Sequence, residues 1–177
     1  MTDSTKEKLF NIALIAAQAA GKYIHEKLNT TLKIDYKGRA NVVTQVDRTS
    51  EKIITDIIKI NFSDHQILAE ETSPVNTEST FKWIIDPLDG TTNFIHGFPC
   101  FAVSIALEYN GEIIIGIVLD PERNELFSAI KDRGAYLNKQ PIHVSRIKNL
   151  SASLLSTGFP YELNEHFYKN IELFRAF

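Results

Sequence analysis

Five acidic side chains carry the chemistry that this sequence offers: Asp47, Glu70, Glu71, Asp86 and Asp89. Several negative charges held close together are unfavourable unless a cation neutralises them. Mg²⁺ prefers oxygen ligands, and it commonly takes one or two carboxylates together with water and a phosphate group. We therefore interpret these carboxylates as a candidate site for a hard divalent cation.

The segment 86–89 has the spacing that such a site needs. Pro87 restricts the backbone between Asp86 and Asp89, so that the two carboxylates can converge on neighbouring metal ions while an intervening carbonyl adds a further oxygen. The sequence Gly-Thr-Thr follows at 90–92. Glycine permits a close approach to a ligand, and a helix that begins here would direct free N–H groups at an anion. Together these features predict metal-assisted hydrolysis of a phosphate ester by an activated water.

Each feature has a simpler explanation when it is taken alone. Asp47 could be only a helix cap, Glu70 and Glu71 only a solvated pair, and Asp-Gly-Thr only a turn. Their combination is more specific, because the apolar runs 67–69 and 81–85 read as buried strands that end in acidic residues. The combination therefore favours a built site.

The elements around these residues indicate an α+β fold. Helical periodicity predicts helices over 5–28, over 48–61 with Asp47 as the cap, and over 164–177. Strands are predicted over 32–36, 67–69, 81–85, 101–109, 112–119, 126–130, 135–137 and 152–156. Asn110-Gly111 is typical of a type I′ hairpin turn. We expect a layered sandwich with two N-terminal helices on a mainly antiparallel sheet.

The composition narrows the function classes. The 177 residues suit one domain, and a net charge of −3 gives no basic footprint for nucleic acid. The single thiol, Cys100, cannot form an internal disulfide, and we interpret it as a small buried residue. No apolar run reaches the length of a membrane span, and the N-terminus lacks a signal-peptide pattern. We therefore expect a cytoplasmic protein with neither a nucleic-acid nor a membrane partner.

Residues 83–94 read Trp-Ile-Ile-Asp-Pro-Leu-Asp-Gly-Thr-Thr-Asn-Phe, which resembles the signature of the inositol monophosphatase family. Residues 69–72, 43–47 and 131–138 resemble three further motifs of that family. The family comprises Mg²⁺-dependent, lithium-sensitive phosphatases with a sugar-phosphatase-like fold. The resemblance implies the same fold here, and a hydrolase acting on a small phosphorylated polyol or sugar.

The resemblance also implies residue roles. Glu70, Asp86, Asp89 and the carbonyl of Leu88 would hold two or three Mg²⁺ ions. The catalytic residues would be Asp47 and Thr91, which orient and activate water, together with Glu70. The substrate phosphate would lie against Glu70, Leu88, Asp89, Gly90, Thr91 and Thr92. Glu71 would support the site, and Lys37 stands where members often carry a basic residue.

Family members normally continue into a second α/β part with a Trp-Asp-x-Ala-Ala-Gly-like motif, which has no match before Phe177. Residues 1–177 are therefore expected to be a truncated chain that comprises the N-terminal catalytic domain, with the C-terminal α/β part of the family absent. We expect apolar surface to be exposed near its C-terminus. The resemblance also implies a homodimer.

Several alternatives remain open from the sequence. Inositol monophosphate is the leading substrate, with fructose 1,6-bisphosphate and adenosine 3′,5′-bisphosphate as alternatives within the superfamily. A haloacid-dehalogenase-type mechanism is disfavoured, because its two aspartates are spaced Asp-x-Asp. A catalytically impaired binding or regulatory relative is the non-enzyme alternative, since some family members are implicated in RNA-polymerase-associated complexes. His96 and His143 are better explained by surface or packing roles than by acid–base chemistry.

Overall fold

The structure is a computed structural model, and it describes residues 2–28, 30, 34–36, 42–72, 78–159 and 164–176. Helices and strands alternate only in the first half of the chain. Their order is α1 (Asp3–Lys27), β1 (Ile34–Tyr36), β2 (Val42–Thr44), α2 (Gln45–Asn61), β3 (Gln66–Ala69), β4 (Phe81–Asp89), α3 (Thr91–Ile95), β5 (Ala102–Tyr109), β6 (Glu112–Asp120), β7 (Glu125–Ile130), β8 (Ala135–Leu137), β9 (Gln140–Ile142), a 3₁₀ turn (Leu150–Ala152) and α4 (Glu165–Ala176).

The main sheet of the described part has seven strands, and their spatial order, β3 to β9, is also their order in the chain. Only β3 and β4 pair in parallel, and every later pair is antiparallel. The turn between β5 and β6 has φ values of 51° at Asn110 and 81° at Gly111, as a type I′ turn requires. β1 and β2 form a separate two-stranded ribbon.

Two helices cover one face of this sheet and form the core with it. α1 contacts β5 and β6, while α2 contacts β4. The sheet-facing side of α1 is rich in small residues, which allows a close approach: a Cβ at Gly21 would lie only 2.6 Å from Leu119 Cδ2. The fully buried residues include Trp83, Ile105 and Leu107. The α+β fold with two N-terminal helices on a mainly antiparallel sheet is confirmed.

The opposite face of the sheet is largely open in the described ranges. Side chains alternate along a strand, so Asp86, Ser104, Val118 and Phe127, which are cross-strand neighbours, share this face. Val118 and Phe127 are both more than a third exposed. Asp86 therefore extends toward the side of the sheet that α1 and α2 leave uncovered.

The C-terminal stretch is also poorly covered. α4 forms where a helix was predicted, yet none of its described side chains is buried. Val144 and Leu154 are 93% and 100% exposed, and Phe174 is 56% exposed. The expected exposure of apolar surface near the C-terminus is confirmed. None of the helices in the ranges described here is both long and apolar enough to cross a membrane.

Three sequence-based expectations about helices and strands need correction. The helix predicted from 48 begins at Gln45, because Thr44 is the cap and Asp47 lies in the first turn. β4 continues through Asp89 instead of ending at 85. The strand predicted over 152–156 is wrong: a 3₁₀ turn precedes an exposed segment that pairs with no described strand. β9 was not predicted. Residues 32–33 and Lys37 lie outside the described residues.

Candidate functional site

Asp47 is the most firmly held of the predicted site residues. It is only 2% exposed, and its Oδ2 accepts hydrogen bonds from Thr44 N at 2.8 Å and from Thr44 Oγ1 at 2.6 Å. Thr44 Oγ1 in turn accepts from Val46 N at 3.0 Å. This reciprocal capping of α2 leaves Asp47 Oδ1 to face the neighbouring segment.

The other oxygen of Asp47 links α2 to α3. Thr91 Oγ1 lies 2.7 Å from Asp47 Oδ1 and 3.0 Å from the carbonyl oxygen of Leu88. A hydroxyl has a single proton to donate, so the shorter contact to the charged acceptor takes most of it. The lone pairs of Thr91 Oγ1 then remain available to accept a proton from a third group.

A β-bulge in β4 positions the residues around Leu88. Asp86 pairs with Ser104 and Asp89 pairs with Ala102, so β4 has one residue more than β5 between these pairs. Pro87 is tolerated in the bulge because a residue there need not donate to the ladder. The N–H of Leu88 turns back to donate to Asp86 Oδ1 at 3.1 Å.

Gly90 turns the chain from β4 into α3. Its φ is 86°, in the left-handed region, and a Cβ there would lie 2.8 Å from the carbonyl oxygen of Cys100. Both constraints require glycine. α3 begins at Thr91, and the carbonyl of Gly90 accepts the first helical hydrogen bond from Phe94 N at 3.0 Å. The amides of 91–93 therefore precede the first residue that can bond within the helix.

The carboxylates of Glu70, Asp86 and Asp89 interact strongly. Burial raises the pKa of Asp86 from 3.8 to about 7, and the negative charges of Glu70 and then Asp89 act in the same direction. The N–H of Leu88 opposes the shift, while a hydrogen bond with Glu70 adds to it. Two carboxyl groups can share a hydrogen bond only if one of them is protonated. The repulsion that favours the protonated form of Asp86 is the same repulsion that a bound cation would relieve.

The donor atoms of these groups are of the kind that a hard cation prefers, whereas their positions in this structure are not arranged around one ion. Three carboxylates and the Leu88 carbonyl supply the oxygen donors that Mg²⁺ prefers. Among the residues that the structure describes, however, no three His, Cys, Asp or Glu side chains form a group arranged to hold a metal ion. Glu70 and Asp89 are both exposed in the structure, whereas Asp86 is half-buried.

The predicted residues thus fall into two groups. Asp47, Thr91 and Leu88 are joined by direct hydrogen bonds, whereas Glu70, Asp86 and Asp89 are coupled through their charges. Gly90 and Thr92 flank Thr91 at the start of α3. Glu71 also lies close to α2: its N–H donates to Glu51.

Two histidines and a cysteine lie near or beyond this site. His96 is exposed and its Nδ1 donates to the carbonyl of Thr92 at 2.8 Å, and His143 is exposed. Cys100 is also exposed, so the expectation of a buried thiol was wrong. Its apolar neighbours in the sequence suggested burial, but it lies in the connection that follows α3, outside β5.

Sequence reasoning missed two buried polar residues of α2, Ser50 and Glu51. Ser50 Oγ donates to the carbonyl of Pro87 at 2.8 Å, and Glu51 Oε2 accepts from Glu71 N at 2.7 Å. Their spacing from Asp47, three and four residues, places all three side chains on one helix face. That spacing was the available signal, because this face otherwise continues with the apolar residues Ile54 and Ile58.

A match to the inositol monophosphatase family spans residues 5–177. The chain belongs to this family. Among its relatives, Nus factor SuhB of Vibrio cholerae is 44% identical over 161 residues, which are 89% of this chain and 60% of that protein. The chloroplastic phosphatase IMPL1 of Arabidopsis thaliana is 40% identical over 176 residues, 96% of this chain and 47% of that protein.

Solved structures of family members have the same fold. The extragenic suppressor protein suhB of Bartonella henselae superposes with a TM-score of 0.89 at 37% identity, covering 96% of this chain and 66% of that one. An IMPase/NADP phosphatase complexed with Mg²⁺ and phosphate has a TM-score of 0.68 at 26% identity, over 76% of this chain and 52% of that one. The present chain spans about 60% of the length of the SuhB relative.

Proposed function

We propose that this chain, over residues 1–177, supplies the metal-binding and water-activating part of a phosphomonoesterase. The observation that carries the proposal is the 2.7 Å contact of Thr91 Oγ1 with Asp47 Oδ1, beside the Leu88 carbonyl and the three interacting carboxylates. Membership of a phosphatase family supports the same conclusion. The reaction would be hydrolysis of a small phosphomonoester by water, with no covalent phosphoenzyme.

In this proposal Asp47 and Thr91 remove the proton from the attacking water. The water donates to Thr91 Oγ1 while the hydroxyl of Thr91 donates to Asp47 Oδ1. As the new bond from the water oxygen to phosphorus forms, the bond from phosphorus to the ester oxygen breaks. The proton of the water passes to Thr91 Oγ1, the proton of Thr91 passes to Asp47 Oδ1, and the departing alcohol oxygen takes a proton from solvent. The Thr44 hydrogen bonds hold the other oxygen of Asp47, which keeps Oδ1 directed at Thr91.

Glu70, Asp86, Asp89 and the carbonyl of Leu88 are the proposed ligands of Mg²⁺, in a site of two or three ions. When it is bound, Mg²⁺ supplies Lewis acidity and lowers the pKa of a water molecule. A family member has been solved with Mg²⁺ and phosphate, which supports a metal cofactor in general. Asp86 must be ionised to act as a ligand, so cation binding is coupled to loss of its proton.

The phosphate is proposed to lie at the start of α3, with contributions from Gly90, Thr91 and Thr92. The left-handed conformation of Gly90 lets the chain pass from β4 directly into α3, so the first amides of the helix follow Asp89 at once in the chain. Glu70, Leu88 and Asp89 would lie beside the phosphate, because they are also the proposed ligands of Mg²⁺. The amide N–H groups suit the negative charge of the phosphate oxygens.

Inositol monophosphate is the leading substrate in this proposal, and fructose 1,6-bisphosphate and adenosine 3′,5′-bisphosphate are the alternatives. Lithium sensitivity, a homodimer and a cytoplasmic location belong to the same proposal. The proposed substrate is inferred from the family match. The proposed cytoplasmic location is inferred from the sequence, which contains a single cysteine.

The test combines Mg²⁺ calorimetry with a phosphate-release assay on these three compounds. The Asp86→Asn and Asp89→Asn variants should lose Mg²⁺ binding, and they should also lose any phosphate release. Asp56→Asn is the matched control, because Asp56 is an exposed residue of α2 that pairs with Lys52. Absence of Mg²⁺ binding at millimolar concentration would overturn the proposal.

A binding or regulatory role is the second candidate, and the relatives named Nus factor favour it. In that case the acidic site could bind a cation without turnover. Mg²⁺ binding that is lost in Asp86→Asn, with no phosphate release from any of the three compounds, would favour this role over catalysis.

A further inference from the structure

One face of α2 contacts all three segments that form the proposed site. Asp47, Ser50 and Glu51 lie on this face, and each is at most 2% exposed. Asp47 meets the start of α3, Ser50 meets the bulge of β4, and Glu51 meets the segment after β3. The three contacts span 2.7 to 2.8 Å and join residues that are 44, 37 and 20 positions apart in the chain.

We propose that Ser50 and Glu51 are positioning residues, which fix the metal ligands of the proposed site from α2. Glu51 holds the amide of Glu71 and thereby sets the backbone that carries Glu70. Ser50 holds the carbonyl of Pro87 and thereby sets the backbone between Asp86 and Asp89. This inference rests on the proposed function, since it concerns the ligands of the same site.

Burying the carboxylate of Glu51 costs folding free energy, which is hard to explain unless the side chain has such a role. A buried carboxylate is usually less favourable than an apolar side chain of similar volume, and the next residues along this face are Ile54 and Ile58. A leucine at position 51 would fill the same space in the core with an apolar side chain. The hydrogen bond to Glu71 N, however, ties the segment after β3 to the helix, and an apolar residue cannot make it.

Ser50 acts at the irregular part of β4. The bulge between Asp86 and Asp89 interrupts the ladder with β5, so the carbonyl of Pro87 needs a partner from outside the regular register. The hydroxyl of Ser50 provides it. The conformation of the bulge decides where the flanking carboxylates and the Leu88 carbonyl are directed, so the hydroxyl contributes to the geometry of those oxygen donors.

The test measures Mg²⁺ affinity by calorimetry and unfolding by urea in the full chain. Glu51→Leu should weaken Mg²⁺ binding by about tenfold or more, the range typical of residues that orient metal ligands, while leaving the urea midpoint near that of the parent. Glu51→Gln keeps an acceptor oxygen, so it should restore the affinity to within about threefold. Ser50→Ala should weaken Mg²⁺ binding in the same direction.

Ile58→Ala is the matched control on the same helix, because it removes buried packing without touching a site segment. It should lower the urea midpoint and leave Mg²⁺ affinity unchanged. The amide proton of Glu71, followed by NMR without metal, gives an independent signature: it should move upfield and exchange faster in Glu51→Leu, and remain close to the parent in Glu51→Gln.

The possible results separate the two proposals. Parent-like Mg²⁺ affinity in both Glu51→Leu and Ser50→Ala would overturn the inference and leave the proposed function standing. An affinity loss in Ile58→Ala equal to that in Glu51→Leu would also overturn it, since the effect would then follow stability. A parent chain that binds no Mg²⁺ would overturn both. If Glu51→Leu fails to fold, Ser50→Ala decides the question, and parent-like Mg²⁺ affinity in that variant would overturn the inference.

Discussion

The packed region up to β9 and the stretch that follows it differ in how they use their apolar residues. Leu107 in β5 is fully buried between the sheet and the helices, whereas Leu154 is fully exposed. The helix α2 buries six of its residues, while α4 buries none in its described part. Both helices are amphipathic, but within the described residues only α2 has a sheet to cover.

This difference explains where polar geometry is fixed. The hydrogen bonds that define the candidate site join α2, β4, α3 and the segment after β3, all in the packed region. A hydrogen bond in a buried, low-dielectric environment is stronger and better directed than one that competes with water. The aromatic contacts of the C-terminal stretch, such as Phe159 with Phe167, join exposed or half-exposed residues. They take no part in the hydrogen bonds that define the candidate site.

The largest effect should come from removing the hydroxyl that links the two sides of the site. We expect Thr91→Val to lower the rate of phosphate release by about 10²- to 10⁴-fold, the usual contribution of a positioned proton acceptor, with Mg²⁺ affinity little changed. Steady-state kinetics and calorimetry would measure both. Thr55→Val is the control, since the hydroxyl of Thr55 donates to the Lys52 carbonyl of its own helix. Similar rate losses in the two variants would contradict the assignment.

A pair of identical substitutions tests the comparison of the two regions directly. Leu107→Ala should lower the free energy of unfolding by about 2–5 kcal/mol, because it leaves a cavity in the core. Leu154→Ala should change it by less than about 0.5 kcal/mol, because no packing is lost. Urea unfolding followed by Trp83 fluorescence gives both values. Equal losses would mean that 154 is packed in solution, contrary to its exposure here.

The acidity of Asp86 predicts how Mg²⁺ binding depends on pH. Its pKa of about 7 lies above the ordinary 3.8, so the carboxyl is mostly protonated below pH 7 and must release that proton to bind a cation. Mg²⁺ affinity should fall by up to about tenfold per pH unit below 7 and level off above it. Calorimetry in buffers with different ionisation enthalpies would count the released protons. A constant affinity from pH 5.5 to 7.5 would contradict this.

A smaller effect, on the pH dependence of stability, is expected at His65, which follows the C-terminal end of α2. Its ring stacks between Phe62 and Phe81, with centroids 4.7 and 4.5 Å away, and its Nδ1 accepts from Trp83 Nε1 at 3.0 Å. Burial lowers the pKa of His65 below 6.5, although the charge of Asp64 opposes the shift.

The neutral ring is thus favoured in the folded state. Its contribution to stability is complete above pH 6.5 and is lost as the pH falls through the lowered pKa. Because Trp83 is the only tryptophan, its fluorescence should change in the same range. His65→Phe keeps a stacked ring without a titrating group and should abolish that change. Persistence of the transition in this variant would assign it to another group.

Much of the fold could be predicted because local signals agreed with the packing. Periodicity located α1 and α2, and Asn110-Gly111 located the hairpin with its strands. The strand predicted over 152–156 failed for the opposite reason. An apolar run carries strand propensity, but pairing requires a neighbouring edge, and no described strand lies against it.

The sequence indicated the residue types of the candidate site, but it did not indicate the side chains that hold its segments in place. The structure places Asp47 and Thr91 in direct hydrogen-bond contact, while their joint action on a water molecule stays a prediction. Ser50 and Glu51 could not be assigned partners, because their partners lie 37 and 20 residues away and depend on the bulge and on the docking of α2. Contacts that depend on tertiary arrangement leave little trace in the spacing of one segment.

The chain order of the strands has a consequence for how quickly this fold forms. From β4 to β9 each strand pairs with the next one in the chain, so every ladder closes a short loop. Short loops lose little entropy on closure, and proteins dominated by local contacts cross their folding barrier faster than those with distant pairings. Strands β4 to β9 can therefore be added hairpin by hairpin. The slow step is expected to be the docking of α1 onto β5 and β6, the contact that joins the beginning of the chain to its middle.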